Sequence, residues 1–561
     1  MITDTIKQIL TKALAALDIA DPEIHLEHPT ELSHGDYATN VAMRYARELQ
    51  MNPRELAEKI IGQVDLDSVD QITSVDIAGP GFINFHLSDS FYQTARSQVD
   101  ADFGKVDFLT GKKVLVEHSS SNLFKPFHIG HLMNNAIGES VYRLMQFTEA
   151  TTVAIAYPSD VSLGIGKAVW SFLQKETDSL DSLNTTSEKL AFLGDCYVDG
   201  TAAYKENEDT QKEIRKITQD IYNQTPGTVW DAYEIGKKIN LDYVLEMTER
   251  LGSEFAGFIF ESEAGKRGIQ IVREHIGDVF QESNGAVIFD GESRGLHTRV
   301  FINSEGNPTY ESKDLGLIQL KFEQYQPDIS VIVTDHEQSE YFKVMLTAAG
   351  EINQDWKDKT VHLTHGRMQF KGKKMSSRLG NVPLAIDMLD TVREEVLERL
   401  TDEQKKDETL IDQIAIGALK FAIIRVQAGK NINFDPDTSL SFEGDSGPYL
   451  QYTHARCRSI IAKAGVETIE PSLGQPVNDV DRLLYRFPEV ITQAVTEYAP
   501  HHVANYLLEL ARAFNSWYGN NQIIVAGDES GTAARVQLVQ AVATTVKNGL
   551  WVLGIDAPEK M

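Results

Sequence analysis

The sequence predicts a multidomain α/β protein: a parallel sheet with crossover helices and a helical insertion, preceded by a small α+β module and followed by an all-helical bundle. Three observations carry this. The 561-residue length exceeds what one hydrophobic core organises, so three or four domains are expected. Between about 106 and 440, short apolar runs at 114–116, 153–156, 299–302, 329–334 and 361–363 alternate with helical stretches, the pattern of a parallel sheet buried on both faces. After about 440 strand signals vanish, and apolar residues recur at helical spacing.

Taken in chain order, 6–17 has helical periodicity. A second helix is predicted over 53–64, with Asn52 as its N-cap and Pro53 in the first turn, where a missing N–H costs nothing. Gly79-Pro80-Gly81 marks a turn, and 82–87 alternates as a strand. From about 165 to 285 the α/β alternation is interrupted by a charged, mostly helical stretch, which reads as an insertion. In the last region Val503, Tyr506, Leu507, Leu510, Ala513, Phe514 and Trp517 share one helical face, as do Val536, Val539, Val542 and Val546.

Composition narrows the class. Hydrophobic residues make up 42% and charged residues 24%, and no run of eighteen apolar residues offers a membrane span. Residues 1–5 show no basic region followed by an apolar stretch, so no signal peptide is expected. Two isolated cysteines, Cys196 and Cys457, make neither a disulfide framework nor a zinc site and fit a reducing cytoplasm. A net charge of −29 argues against nonspecific coating of nucleic acid, while leaving room for local basic patches.

Two segments carry chemistry. The first is a buried strand at 113–116, the polar run Glu117-His118-Ser119-Ser120-Ser121-Asn122, and then Lys125-Pro126-Phe127-His128-Ile129-Gly130-His131. His128 and His131 are three apart and share a face of the first helical turn. Gly130 leaves room for a flat base or ribose against the backbone. The helix start supplies free amides and partial positive charge, which favour phosphate. Each imidazole can donate to a phosphoryl oxygen, stabilising charge without a covalent step. The second segment, Lys371-Gly372-Lys373-Lys374-Met375-Ser376-Ser377-Arg378, is a basic loop bracketed by Gly372 and Gly380. Its cations could close over the β- and γ-phosphates of a nucleoside triphosphate.

These two segments resemble the signature sequences of class I aminoacyl-tRNA synthetases, and the chain resembles the arginyl-tRNA synthetases along nearly its whole length. The resemblance includes His34-Gly35-Asp36-Tyr37-Ala38-Thr39-Asn40, Asn52-Pro53-Arg54-Glu55, the run 310–316, the block Gly447-Pro448-Tyr449-Leu450-Gln451-Tyr452-Thr453-His454-Ala455-Arg456, and the stretches 553–555 and 558–561. It implies a Rossmann-like catalytic domain at 106–440 with the insertion at about 165–285, a tRNA-binding module at 1–105, and a helical anticodon-binding domain at 441–561. The implied activity is ligation of L-arginine to tRNA(Arg) through an arginyl-adenylate, in the cytoplasm, by a monomer, with Mg²⁺ brought by ATP and no permanently bound cofactor.

The resemblance also assigns residues. His128, His131 and Lys374 fall at catalytic positions, and Gly130, Met375, Ser376, Ser377 and Arg378 join the two histidines around ATP. A guanidinium ligand calls for carboxylates in a fork-matching geometry, and the matching positions are Glu117, Glu263 and Asp314, with Asn122 and Tyr310 beside them. Glu117 ends a buried strand, where parallel sheets bind ligands. The chain departs from the family pattern at Ser121, where proline is usual, at Ser162 and Gly164, and at Ser377, where a lysine is usual. Lys125 is expected to supply that missing cation, with Arg378 as the alternative.

Overall fold

The structure, a computed structural model, describes residues 2–66, 69–125, 127–175, 180, 183–370, 384–465 and 476–561. The second signature segment, with Lys374, Met375, Ser376, Ser377 and Arg378, lies outside the described residues, as does Pro126.

The chain divides into two compact units. The first holds 1–103, 456–487 and 509–545. In it the strands β1 (Tyr37–Thr39), β2 (Ile72–Ala78) and β3 (Phe82–Leu87) form an antiparallel sheet in the order β1-β3-β2. The helix Ile2–Ala15 buries Ile6 and Leu10 in the same core as Leu56 and Ile60 of Pro53–Ile61 and Ile83 and Phe85 of β3. Asn52 caps Pro53–Ile61 as the sequence suggests, its side chain accepting from the Arg54 amide at 2.9 Å. Arg96 and Asp481 form a buried ion pair at 3.2 Å.

The second unit holds 104–455, 488–508 and 546–561. Its centre is a five-stranded, all-parallel sheet. The strands are β4 (Lys113–Glu117), β5 (Thr151–Ala156), β6 (Gly257–Phe258), β10 (Ile329–Asp335) and β11 (Thr360–His365), in the order β11-β10-β4-β5-β6. The first of these in the chain, β4, is central, and the connections leave it in opposite directions. That reversal sets a switch point between β4 and β10, the position at whose carboxyl ends open α/β sheets bind ligands. Leu115 and Ile155 pack against Ile259, Ala264 and Leu317 to close the face beneath it.

Two details differ from the pattern reading. The run 299–302 is β9 (Arg299–Ile302), which joins no parallel sheet; it pairs antiparallel with β8 (Ala286–Phe289), itself paired with β7 (Gln281–Ser283). Asn284 and Gly285 both have positive φ, 49° and 80°, which makes a tight hairpin and commits this stretch to local antiparallel pairing. The interrupted region is helical as expected, through Leu163–Gln174, Thr186–Glu206, Glu208–Tyr222 and Thr228–Arg250, but it also supplies the two-residue edge strand β6, too short to register as a periodicity.

The helix Ile129–Gln146 lies against β4, and Gly138 permits this. A Cβ there would sit 2.2 Å from His118 Cβ. Gly138→Ala is therefore expected to destabilise the fold by about 1–3 kcal/mol through overpacking, read as a lowered urea midpoint by circular dichroism. An unchanged midpoint would mean that the β4–helix contact is looser than described.

Candidate functional site

After the exposed Lys113, β4 is apolar and buried up to its last residue, Glu117, which is itself buried. A carboxylate in that position needs a cation, and Lys321, fully buried on the helix Tyr310–Tyr325, donates to Glu117 Oε2 at 2.8 Å. The chain then turns sharply at Ser119, whose φ is 59°, and the Ser119 amide donates to Asn134 Oδ1 at 2.6 Å. Asn122, exposed, bridges to Ser159 beyond β5.

His128 is the N-cap of Ile129–Gln146. Its Nδ1 accepts from the Gly130 amide at 3.1 Å, and the His128 amide donates to His131 Nδ1 at 3.3 Å, so the two histidines build a reciprocal capping box. Their rings stack with centroids 3.8 Å apart and 14° between planes. Because each Nδ1 accepts a backbone N–H, the proton of each neutral ring sits on Nε2, where it can be donated outward. Burial holds both imidazoles below their ordinary range, with Lys125 adding to the effect on each and His128 on His131. Near neutral pH both rings are thus uncharged Nε2 donors. Lys125 is exposed, with Nζ 5.7 Å from the ring centre of Tyr197. Leu384, the first described residue after the basic segment, bridges to His128, and the Ala385 amide donates to Phe127 O at 2.9 Å.

Beside Glu117 lies a cluster of acids. Asp314, on the same helix as Lys321, accepts from Tyr341 Oη at 2.5 Å. Burial pushes its carboxyl up to about 7, opposed by the Tyr341 hydrogen bond and reinforced by the charges of Glu117 and Glu261. Glu261 opens the helix Glu261–Glu274, is buried, and receives Lys313 Nζ at 2.6 Å and the Ser159 hydroxyl. Among the described residues, three carboxyls (Glu117, Glu261 and Asp314) are answered by two lysines (Lys321 and Lys313). Asp314 is the one of the three bonded to a tyrosine hydroxyl rather than to a lysine. Tyr310, 71% exposed, stands over this group with Lys313 Nζ 5.5 Å from its ring centre.

The structure therefore brings Glu117 and Asp314 together and sets Tyr310 beside them. Glu263 points elsewhere: it is exposed and lines a separate cavity of about 620 Å³ with Gln224, Lys237, Phe260, Lys266 and Arg267. The buried acid on that helix is Glu261, two residues earlier. Sequence reasoning did not single out Glu261, Lys313, Lys321 or Tyr341. In Glu-Ser-Glu only the register of the helix start decides which acid turns inward, and the lysines look like ordinary surface cations until their helices are packed. Ser162 takes a structural part, capping Leu163–Gln174 by accepting from the Ile165 amide at 3.2 Å. Nearby Asp160, fully buried, accepts from Lys237 Nζ at 2.8 Å, Tyr233 Oη at 3.1 Å and both the amide and hydroxyl of Ser262 at 2.8 Å. It ties Thr228–Arg250 to the start of the Glu261 helix. Among the described residues no group of three or more His, Cys, Asp or Glu side chains is placed to hold a metal ion.

Comparison with known proteins adds the following. Residues 99–435 match the family described as tRNA synthetases class I (R), catalytic domain; 2–87 match the arginyl tRNA synthetase N terminal domain; 450–561 match the DALR anticodon binding domain. The arginine--tRNA ligase of Lactobacillus delbrueckii subsp. bulgaricus is 29% identical over 572 residues, covering 99% of this chain and 100% of that protein. That of Clostridium perfringens is 27% identical, covering 97% of both. In fold, the chain is similar to the arginyl-tRNA synthetases of Thermus thermophilus (TM-score 0.81, 22% identity, 100% of both chains) and Plasmodium falciparum (TM-score 0.83, 18% identity, 100% of this chain and 99% of that one).

The acid cluster has a measurable consequence. With Asp314 titrating at about 7, the pocket gains its excess negative charge only as pH rises through that value. A guanidinium ligand is expected to bind more tightly at pH 8 than at pH 6, and Asp314→Asn is expected to weaken binding and flatten the profile. Calorimetric titration with arginine across this range reads both. A wild-type affinity that is flat with pH would remove Asp314 from the pocket.

Proposed function

Since the chain belongs to the class I arginyl-tRNA synthetase family, we propose that it ligates L-arginine to tRNA(Arg) at the expense of ATP, releasing AMP and pyrophosphate. The observation that carries the reading furthest is that one helix presents a pair of neutral imidazoles at its mouth and, through Asn134 and the Ser119 amide, holds the strand exit that carries the buried acid cluster. The imidazoles suit a triphosphate and the acids suit a guanidinium.

In the first step the arginine carboxylate attacks the α-phosphate in line, and pyrophosphate leaves. His128 and His131 donate from Nε2 to phosphoryl oxygens as negative charge builds, and the free amides at the start of Ile129–Gln146 add to the field. Gly130 gives the nucleoside its approach to the backbone. Lys374 is assigned to the leaving pyrophosphate, with Met375, Ser376, Ser377 and Arg378 completing the nucleotide site. Lys125 stands in for the lysine that Ser377 replaces, and its electrostatic reach to both histidines supports this. Magnesium brought by ATP would supply neutralisation of phosphate charge. Asp314, Glu117 and Tyr310 grip the arginine side, with Asn122 at the rim. Glu261 takes the place that the sequence reading gave to Glu263.

In the second step the terminal ribose hydroxyl of the tRNA attacks the mixed anhydride and AMP departs. The division into a tRNA-docking module at 1–105, a catalytic domain at 106–440 and an anticodon-binding domain at 441–561 belongs to this proposal. So do the monomeric state, the cytoplasmic location and the need for tRNA before adenylate forms. The docking module is assigned to the outer corner of the tRNA, near its D-loop.

ATP–pyrophosphate exchange with each amino acid in turn, with and without total tRNA, tests the reading. Exchange that requires both arginine and tRNA is expected; exchange driven by another amino acid, or none at all, refutes it. In the same assay Lys125→Ala is expected to lose at least about tenfold in rate, the scale of one transition-state cation. A near-normal rate would remove Lys125 from the chemistry.

A further inference from the structure

The helix Ile129–Gln146 carries a histidine pair at one end and a knot of buried charge at the other. Glu139, buried, pairs with Arg143 at 2.6 Å. The remaining guanidinium nitrogens of Arg143 donate to Gly252 O at 2.7 Å and Trp551 O at 3.3 Å. Lys420, on the helix Glu408–Ile424 and 0% exposed, donates to Leu251 O and, at 2.8 Å, to Gly554 O. Ser140 Oγ donates to Val552 O at 3.0 Å. Five carbonyls from two helix C-termini, those of Thr228–Arg250 and Glu529–Val552, therefore converge on two cations and a hydroxyl. The last carbonyls of a helix have no partner within it and carry its negative pole, so cations are the fitting answer.

A fully buried lysine is costly, and burial lowers Lys420 to about 8. Its packing is also tight: a Cβ on Gly554, whose φ is +66°, would lie 3.1 Å from Lys420 Nζ and 3.3 Å from Glu139 Cγ. Surface contacts between helices do not require such an arrangement. Midway along the same helix, Asn134 holds the Ser119 amide at 2.6 Å and Val333 O at 2.6 Å, and Asn135 donates to Ser119 Oγ at 3.1 Å and Ser253 Oγ at 2.8 Å. The exits of β4 and β10, at the switch point of the sheet, are thus pinned to this helix. Glu139 Oε2 lies 3.9 Å from His118 Nε2, in the residue after Glu117. One rigid element links the carbonyls of 551–554, the acid pocket and the imidazole pair.

We propose that Lys420 and Arg143 are positioning residues for amino-acid activation: by capturing the Gly554 and Trp551 carbonyls they fix the helix whose other end presents His128 and His131. This rests on the functional reading above and adds that the segment 551–554 helps set the rate of the chemical step. Lys420 and Arg143 hold backbone carbonyls at the far end of the helix from His128 and His131. They act through the helix, so their loss should appear in kcat rather than in the affinity for ATP.

The test uses the full-length protein and four variants, Lys420→Met, Lys420→Arg, Gly554→Ala and Lys420→Met/Gly554→Ala, in arginine- and tRNA-dependent exchange, with rates normalised to titrated active sites. Lys420→Met is expected to lower kcat about tenfold with KM for ATP within about twofold, and Lys420→Arg to recover most of it. Gly554→Ala, which disturbs the same joint from the other side, is expected to lower kcat about threefold, and the double variant to be no worse than Lys420→Met alone. An unchanged kcat per active site in Lys420→Met, or losses that multiply in the double variant, overturns the proposal. Should Lys420→Met fail to fold, Gly554→Ala and Ser140→Ala decide, and normal kcat in both overturns it. A wild-type protein without arginine-dependent exchange would instead sink the functional reading.

Discussion

A carboxylate is not buried without something to answer its charge, and this constraint organises the catalytic unit. Glu117 terminates the central strand in a dry position, which demands Lys321 from the helix behind it. Glu261 demands Lys313 in the same way. With both lysines bonded to the other two acids, Asp314 accepts from the Tyr341 hydroxyl, and burial beside Glu117 and Glu261 raises its carboxyl to about 7. A cationic ligand beside Asp314 would favour its charged form. The fold provides the place for such a ligand, because an open α/β sheet that reverses direction, as this one does at β4, binds ligands at its carboxyl edge.

The imidazole pair obeys a related logic. Stacked at 3.8 Å, two charged rings would repel, and burial disfavours charge on either. Both are kept neutral, and the capping box then chooses their tautomer by using up each Nδ1. The same hydrogen bonds that start the helix also orient its donors. In the proposed reaction stability and chemistry would not compete, since the cap that the helix needs also leaves each Nε2 free to donate to a phosphoryl oxygen.

Much of this was legible in the sequence. The four longer parallel strands, the capped helix at Asn52, the helical last region and the helix opening on His128 follow from periodicity, capping chemistry and spacing, all of which are short-range. Glu117 was legible because it ends an apolar strand, and the histidines because their spacing places them on one helical turn. The run at 299–302 was not, because an apolar run of four has the same appearance in a parallel sheet and in a hairpin. Only the Asn284-Gly285 turn separates the two. The edge strand β6 has two residues and no periodicity to read.

By itself the sequence determined which groups could do chemistry: imidazoles at a helix start, cations on a glycine-bracketed loop, and acids along the helices of an α/β core. The tertiary structure decided which acids count. It turned Glu261 inward and left Glu263 exposed, chose Lys313 and Lys321 as partners, and set Lys420 and Arg143 against helix ends far away in the chain. The reason is physical. Spacing along the chain settles which side chains share a strand or a helical face, whereas burial and charge compensation depend on what packs opposite, and that is set by elements distant in sequence.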